Sequence, residues 1–172
     1  MSEPIFVLGD SRTGTTTLHN YFERLGIRSV HYFVDEAGVT EPFHRHRQEK
    51  WLSLKAFIDT SGFRAFSDYP TRLFFRELVA AYPSAHFILS ARATLETWQN
   101  SYRRYFGLGE EDLAYKSGFY SVWNEEIRWL CADAGVAFLE LCIDDDATQN
   151  AQRLCEFLGV DFEGGLPWAN RS

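Results

Sequence analysis

The sequence predicts an α/β fold with three layers, in which a central parallel β-sheet is covered by helices on both faces. The first observation behind this prediction is that short apolar runs alternate with longer stretches of helical spacing along the whole chain. The second is that several runs are apolar almost throughout, as in HFILSA at 86–91, which is typical of strands buried on both faces. The third is a glycine-bounded loop that joins the first apolar run directly to a helical pattern.

The elements follow in order from these patterns. Strands are predicted at 5–8, 29–34, 64–67, 86–91 and 136–141, and helices at 15–25, 45–59, 71–81, 95–106, 115–134 and 147–158. Gly26, Gly135 and Gly159 each follow a predicted helix and suit the left-handed backbone that ends one. The dipeptide at 82–83 ends the third helix, because a residue before proline avoids the helical region. With no repeat or linker in the chain, we expect a single domain spanning residues 1–172.

The composition is that of a globular protein, with 45% hydrophobic and 24% charged residues among 172. A formal net charge of −7 disfavours nucleic acid and anionic membranes as partners. The sequence has no apolar run long enough to span a membrane, and the first strand leaves no room for a signal peptide, so we expect a cytoplasmic protein. Cys131, Cys142 and Cys155 fit no metal-binding pattern and are expected to be buried free thiols.

The segment GDSRTG at 9–14 has the features of a phosphate cradle and predicts a P-loop-type fold. Backbone N–H groups of such a loop and of the first helical turn point at one spot, where the helix dipole favours an anion. Gly9 and Gly14 allow close backbone approach and positive φ. The hydroxyls of Thr13, Thr15 and Thr16 can donate further hydrogen bonds.

The glycine spacing of this loop matches the Walker A pattern, but Thr15 stands at the lysine position. Nucleoside triphosphatases use that lysine on the β- and γ-phosphates, so its replacement argues against ordinary ATP or GTP hydrolysis. The cation lies earlier, at Arg12. One guanidinium with several N–H groups suits a compact anion without an obligatory metal, and we predict no metal site.

The segment Arg12-Thr13-Gly14-Thr15-Thr16, between a strand and a helix, resembles the 5′-phosphosulfate loop of P-loop sulfotransferases, above all the bacterial type. These enzymes take a sulfuryl group from 3′-phosphoadenosine 5′-phosphosulfate (PAPS) and leave 3′-phosphoadenosine 5′-phosphate (PAP). The resemblance implies that this segment and Thr17 bind the donor. Thr17 stands where cytosolic sulfotransferases carry an adenine-stacking tryptophan, so adenine must be held by other contacts.

Arg92 is the second predicted anchor, because it ends the buried strand at 86–91. The segment FILSARATLETWQNSY resembles the family's 3′-phosphate site, which implies that Arg92 and Ser101 hold that phosphate. Ala93-Thr94 replaces the family's usual Asp-Pro, and Ser101 comes one position later than usual, so Asn100 is an alternative to it. A plain surface ion pair for Arg92 and an ordinary helical serine for Ser101 are the simpler interpretations.

Sulfuryl transfer needs a base for the acceptor's proton, and the sequence offers several candidates. His31 lies near the end of the second strand and Asp68 follows the third, so both are predicted catalytic residues together with Arg12. Glu36 and His19 are further candidates for the base. A helix cap at the start of 71–81 is an equally good reading of Asp68.

Two other segments carry weaker signals. His44 and His46 form an H-x-H pair, which alone is weak evidence for zinc and is more simply a solvated helix start. The tail, with FLG at 157–159 and then Pro167, Trp168 and Asn170, resembles the end of many bacterial relatives, and Arg171 could add charge to the cofactor site.

Together these observations predict a PAPS-dependent sulfotransferase that acts on a hydroxyl or amine of a small acceptor. The chain is short for the family, so a homodimer could complete an open acceptor pocket. A P-loop kinase of nucleotides or small molecules is one alternative, although the missing lysine speaks against it. A non-catalytic module that binds PAP or another anion is the other.

Overall fold

The computed structural model describes residues 3–167 and contains a five-stranded sheet in which every neighbouring pair is parallel. The strands are β1 (Ile5–Val7), β2 (Ser29–His31), β3 (Ala65–Ser67), β4 (His86–Ala91) and β5 (Ala137–Cys142). Their order across the sheet is β2-β3-β1-β4-β5. The helices are α1 (Thr15–Arg24), α2 (Arg47–Thr60), α3 (Phe75–Ala81), α4 (Leu95–Phe106), α5 (Glu110–Ala134) and α6 (Ala147–Leu158), and a 3-10 turn at Thr71–Phe74 precedes α3.

Two apolar clusters pack against opposite faces of the sheet. Alternate residues of β1 point to opposite faces, as the period of two in a strand requires. Phe6 and Leu8 join side chains of α2, α3 and α5 in one cluster, whereas Ile5 and Val7 join side chains of α1 and α6 in the other. The predicted three-layer α/β fold with a parallel sheet is therefore confirmed.

Several element boundaries shift by one or two residues from the predictions, and three differences are larger or change the type of helix. The second strand ends at His31 instead of residue 34, because Tyr32 has a φ of 48° and the chain turns there. The predicted helix at 71–81 begins as a 3-10 turn. Helix α5 begins at Glu110, five residues earlier than predicted, with Gly109 as its N-cap and an acidic first turn that suits the helix dipole.

The cysteines are free thiols, as predicted, with Cys131 and Cys155 buried and Cys142 half-buried. Within residues 3–167, none of the helices is both long and apolar enough to cross a membrane.

Candidate active site

A cleft of 1020 Å³ lies at the carboxyl ends of the strands. In parallel α/β sheets this edge is where ligands bind. The loop after β1, the residues that follow β2 to β5 and one face of α4 all contribute to its walls. The cleft brings together the following predicted site residues: Arg12, Gly14, Thr15, Thr16, Thr17, His31, Asp68, Arg92 and Ser101.

The loop between β1 and α1 depends on its two glycines. A Cβ at Gly9 would lie 1.9 Å from Oγ of Ser90, and one at Gly14 would lie 2.8 Å from Cγ2 of Ile143. Gly14 also has a φ of 83° and is the N-cap of α1. Among the described residues, no side chain caps this start of the helix. The first N–H groups of α1 lack acceptors within the helix, so this end is suited to an anion.

Thr13 supports the loop from within and does not line the cleft. Its side chain is fully buried, and its Oγ1 and backbone N–H both donate to the carbonyl oxygen of Asp10, at 2.6 and 3.1 Å. Its Oγ1 also lies 3.1 Å from Oγ of Ser90. The expectation that the Thr13 hydroxyl donates to a bound anion does not fit this arrangement, because the hydroxyl is already used to hold the loop in shape.

A buried network of charged and polar side chains around Arg72, which was not predicted from the sequence, supports the loop. Arg72 is fully buried, and its guanidinium donates to the carbonyl oxygen of Leu8 at 2.6 Å and to Oδ1 of Asn124 at 2.9 Å. Its Nε lies 3.2 Å from Oδ2 of Asp10. Burial raises the pKa of Asp10, and the nearby Arg72 and the N–H of Ser11 oppose that shift. The 3-10 turn and α5 are thereby linked to Leu8 and Asp10, at the start of the loop that carries Arg12.

Arg12 is held in position by residues of α4. Its Nε donates to Oγ of Ser101 at 3.2 Å, and its guanidinium lies 4.5 Å from the centre of the Tyr105 ring. Burial lowers the pKa of Arg12, and the neighbouring Arg92 and Arg104 lower it further. The guanidinium groups of Arg92 and Arg104 are therefore close enough to act on that of Arg12, and this local positive charge attracts an anion.

One face of α4 forms a wall of the cleft. Thr97, Asn100, Ser101 and Arg104 line it at the i, i+3, i+4, i+7 spacing of a single helix face. The structure places Ser101 against Arg12, in the same cleft as Arg92. The contribution of Ser101 to a 3′-phosphate site stays a prediction. Asn100, the alternative to Ser101, lines the same cleft.

Arg92 combines the two interpretations considered for it. It lines the cleft, and it also forms an ion pair with Asp144, which follows β5. Its Nη2 lies 2.7 Å from Oδ1, and its Nε donates to Oδ2 at 3.0 Å. Asp144 was not predicted from the sequence, although its place two residues after an apolar strand resembles the signal that identified Arg92.

His31 and Asp68 meet at the end of the cleft beside the start of α1. Nε2 of His31 lies 3.2 Å from Oδ2 of Asp68, 3.1 Å from Oγ1 of Thr15 and 3.3 Å from Oγ1 of Thr16. Oδ2 of Asp68 also accepts a hydrogen bond from Thr15 at 3.1 Å. The hydroxyls of Thr15 and Thr16 are therefore directed at the His31–Asp68 pair.

The interpretation of Asp68 as a helix cap is wrong. Its Oδ1 accepts from the N–H of the adjacent Tyr69 at 2.8 Å, and the N-cap of the following turn is Pro70, without a side-chain cap. Asp68 has a φ of 66°, and the other non-glycine residues of the cleft with positive φ are Arg12 and Tyr32. Such conformations are costly for these residue types and cluster at functional sites.

The other candidates for the base lie outside the cleft. Glu36 is exposed and is not one of the lining residues. His19 packs beside His31, with ring centres 5.8 Å apart, and its Nδ1 is 2.9 Å from Oγ of Ser29. Burial lowers the pKa of His19, and the proximity of His31 lowers it further.

The structure adds little support for the two weaker sequence signals, the pair of His44 and His46 and the motif in the tail. His46 is exposed beside Glu49, and among residues 3–167 no group of three or more His, Cys, Asp or Glu side chains is placed to hold a metal ion. Trp168, Asn170 and Arg171 lie outside the described residues. Leu166 and Pro167 line the cleft together with Ile143, Ala147 and Asn150.

The comparisons with known proteins agree with this geometry. Residues 4–116, about two thirds of the chain, match the model of the sulfotransferase domain family. The chain is also 29% identical to Ava biosynthesis cluster protein M of Aspergillus versicolor, in an alignment that covers 72% of this chain and 55% of that protein. It thus spans about half the length of this relative. The family match includes the loop with Arg12, the pair formed by His31 and Asp68, and the strand end at Arg92, and the chain belongs to the sulfotransferase domain family.

Proposed function

We propose that this protein transfers a sulfuryl group from PAPS to a hydroxyl or amine of a small acceptor. The observation that carries the proposal is the position of Arg12. A guanidinium in a glycine-bounded loop, at the N-terminus of α1, faces the same cleft as Arg92 and the His31–Asp68 pair. A site for an anionic leaving group and a site for proton removal are thus next to each other.

The cleft residues fit the three parts of the donor. The N–H groups of residues 14–17 and the guanidinium of Arg12 would hold the 5′-phosphosulfate. Arg92 would hold the 3′-phosphate. The apolar side chains of Ile143, Ala147, Leu166 and Pro167 form a wall against which the adenine ring could lie, in place of the tryptophan that Thr17 replaces. Arg104 lines the same cleft and adds positive charge.

The residues of the cleft supply both ends of the transfer. A bond forms from the acceptor's oxygen or nitrogen to sulfur, while the bond from sulfur to the 5′-phosphate oxygen breaks and its electron pair stays on that phosphate. Arg12 and the loop N–H groups stabilise the charge that grows there. His31 and Asp68 share the acceptor's proton as a pair, since their facing atoms lie 3.2 Å apart.

The first test is ligand-induced thermal stabilisation with PAP and, separately, with ATP and Mg²⁺. At a hundred times its dissociation constant a ligand stabilises the native state by roughly 2.7 kcal/mol, which gives a measurable rise in Tm. We expect PAP to stabilise the wild type and the Arg103→Ala variant, because Arg103 lies on α4 but pairs with Glu110 outside the cleft. Arg12→Ala should abolish most of the shift.

The outcomes separate the three functions considered for the sequence. Stabilisation by ATP only with Mg²⁺, without an effect of PAP, would favour a kinase and overturn the proposal. Binding of PAP without turnover on a panel of alcohols, phenols and amines would favour a non-catalytic module. Production of PAP and a sulfated acceptor from PAPS would support the transferase.

A further inference from the structure

The ion pair between Arg92 and Asp144 has the geometry with which arginine binds phosphate. Two nitrogens of the guanidinium, Nε and Nη2, face the two carboxylate oxygens at 3.0 and 2.7 Å. This parallel two-point contact is the one that a phosphate would make. A carboxylate of the chain itself thus occupies the Nε–Nη2 edge of Arg92, one of the edges at which its guanidinium can bind a phosphate.

The pair is fixed from both sides. The backbone N–H of Arg92 donates to the hydroxyl of Tyr120 at 3.1 Å, and the N–H of Ala93 donates to Oδ2 of Asp144 at 2.8 Å. The side chains of Arg92 and Asp144 are 18% and 26% exposed, so both are partly shielded from solvent. A phosphate that contacts the same edge of Arg92 must displace this carboxylate, and a phosphate at another edge of the guanidinium lies close to its negative charge.

Electrostatics decides the direction of the effect. Burial alone would raise the pKa of Asp144, but the hydrogen bonds from Arg92 and Ala93 outweigh it and lower the pKa, so the carboxylate is charged at neutral pH. Two anions at one guanidinium repel each other, so the carboxylate of Asp144 weakens the binding of a phosphate there. The residue also lies beyond the family match, which ends at residue 116, so the family match assigns it no role.

We propose that Asp144 is a specificity-determining residue that competes with the 3′-phosphate of the donor for Arg92. It reduces the preference of the cleft for nucleotides that carry a 3′-phosphate over nucleotides that lack it. This inference rests on the proposed function, since it assigns Arg92 to the nucleotide site. It concerns only the 3′-phosphate and does not depend on what the loop that contains Arg12 binds.

The test compares the dissociation constants of PAP and AMP, which differ only in the 3′-phosphate, by titration calorimetry. Asp144→Asn is the decisive variant, because an asparagine oxygen can still accept from Ala93 while the charge is lost. Asp145→Asn is the matched control, since it removes the same charge from the adjacent exposed position. The AMP affinity of each variant reports whether the rest of the cleft is intact.

We expect Asp144→Asn to raise the preference for PAP over AMP on the order of tenfold, and Asp145→Asn to leave it within about twofold. Arg92→Ala should reduce the preference in both the wild-type and the Asp144→Asn background. An unchanged or smaller preference in Asp144→Asn, with AMP still bound, would overturn the inference and leave the proposed function standing. Failure of the wild type to bind either nucleotide would overturn both.

Discussion

His31 and Asp68 illustrate how much of the proposed chemistry depends on single atoms. Nε2 of His31 is within 3.3 Å of three oxygens, one of which belongs to the carboxylate of Asp68. The Thr15 hydroxyl also donates to the same carboxylate oxygen. The proton accepted from an acceptor molecule therefore belongs to the pair, and removal of either member should disable it.

His31→Ala and Asp68→Asn should each lower kcat by about 10²–10⁴-fold, the usual contribution of a positioned acid–base group. PAP affinity should change far less than kcat, since Arg12, Arg92 and the backbone N–H groups of the loop are retained, although the hydrogen bonds of Thr15 and Thr16 to the pair are altered. Steady-state turnover of PAPS with an acceptor, and calorimetry with PAP, measure the two quantities. His19→Ala is the control, because His19 packs beside His31 but lies outside the cleft. Full turnover in either test variant would remove that residue from the mechanism.

Arg72 should be the residue whose loss is most damaging to stability. Arg72→Met would leave Asp10 buried without its guanidinium partner, and removing one member of a buried ion pair costs about 3–5 kcal/mol. Urea denaturation should show this loss. Arg76→Met is the matched control, since Arg76 forms a partly exposed pair with Glu126, for which about 0–1 kcal/mol is typical.

The double variant Arg72→Met with Asp10→Asn sharpens the prediction for Arg72. If the cost arises from the unpaired carboxylate, the double variant should be more stable than Arg72→Met alone. Equal stability of the two would locate the cost in the lost contacts of Arg72 to Leu8 and Asn124 instead.

Part of the candidate site could be predicted from the sequence. Arg12, Arg92, Asp68 and His31 could be identified because each stands in or after a segment that ends at one edge of the sheet. The residues that contact these side chains could not be predicted, because they depend on which distant element packs against the site. Ser101 faces Arg12 across 89 residues of sequence, and Arg72 reaches Asn124 across 52.

At the scale of elements, the helix and strand boundaries that can be predicted best from the sequence are those set by local chemistry. β4, α4 and α6 begin and end at the predicted residues, and α4 and α6 end at glycines with left-handed backbone. Helix α5 begins five residues before its predicted start at 115, directly after Gly109. The acidic run at 110–112 was the available signal for an earlier start.

The turn between β1 and α1 should not tolerate a side chain at Gly14. Gly14→Ala places a Cβ at a φ of 83° and 2.8 Å from Cγ2 of Ile143. A left-handed backbone alone costs roughly 1–2 kcal/mol for a residue with a Cβ. We therefore expect a loss of at least this size in urea denaturation, together with weaker PAP binding because the loop must shift.

A second glycine gives the opposite expectation and serves as the control for Gly14. Gly118 lies inside α5, where a Cβ would have nothing within 4 Å among the described atoms. Gly118→Ala should stabilise the protein by about 0.5–1 kcal/mol, because alanine loses less conformational freedom in a helix. A loss of stability in Gly118→Ala would mean that this face of α5 is covered in solution.

At the scale of the whole molecule, the single domain and the homodimer stay predictions. A single domain should unfold in one cooperative step, with coincident transitions by fluorescence and circular dichroism. Sedimentation velocity at two protein concentrations distinguishes a monomer from a dimer. If the acceptor pocket is completed by a second copy, turnover per chain should fall on dilution, whereas PAP affinity should not change.

The charge of the molecule and the charge of the cleft have opposite signs. The net charge is −7, yet Arg12, Arg92 and Arg104 all line the cleft. At an ionic strength of 0.1 M the Debye length is about 10 Å, so most surface carboxylates are screened from a ligand in the cleft while the guanidinium groups that touch it are not. Local attraction should therefore dominate the binding of an anionic nucleotide.

We accordingly expect PAP to bind less tightly as NaCl rises from about 0.05 to 0.5 M, because the contacting charges become screened as the Debye length shrinks to a few ångströms. Adenosine, which carries no phosphate, should show little change over the same range. Arg12→Ala should flatten the dependence for PAP, since one of the contacting charges is gone, whereas Arg103→Ala should leave it unaltered. If PAP affinity rose with salt, the field of the −7 surface would outweigh the cleft, and Arg12 would not be the group that holds the anion.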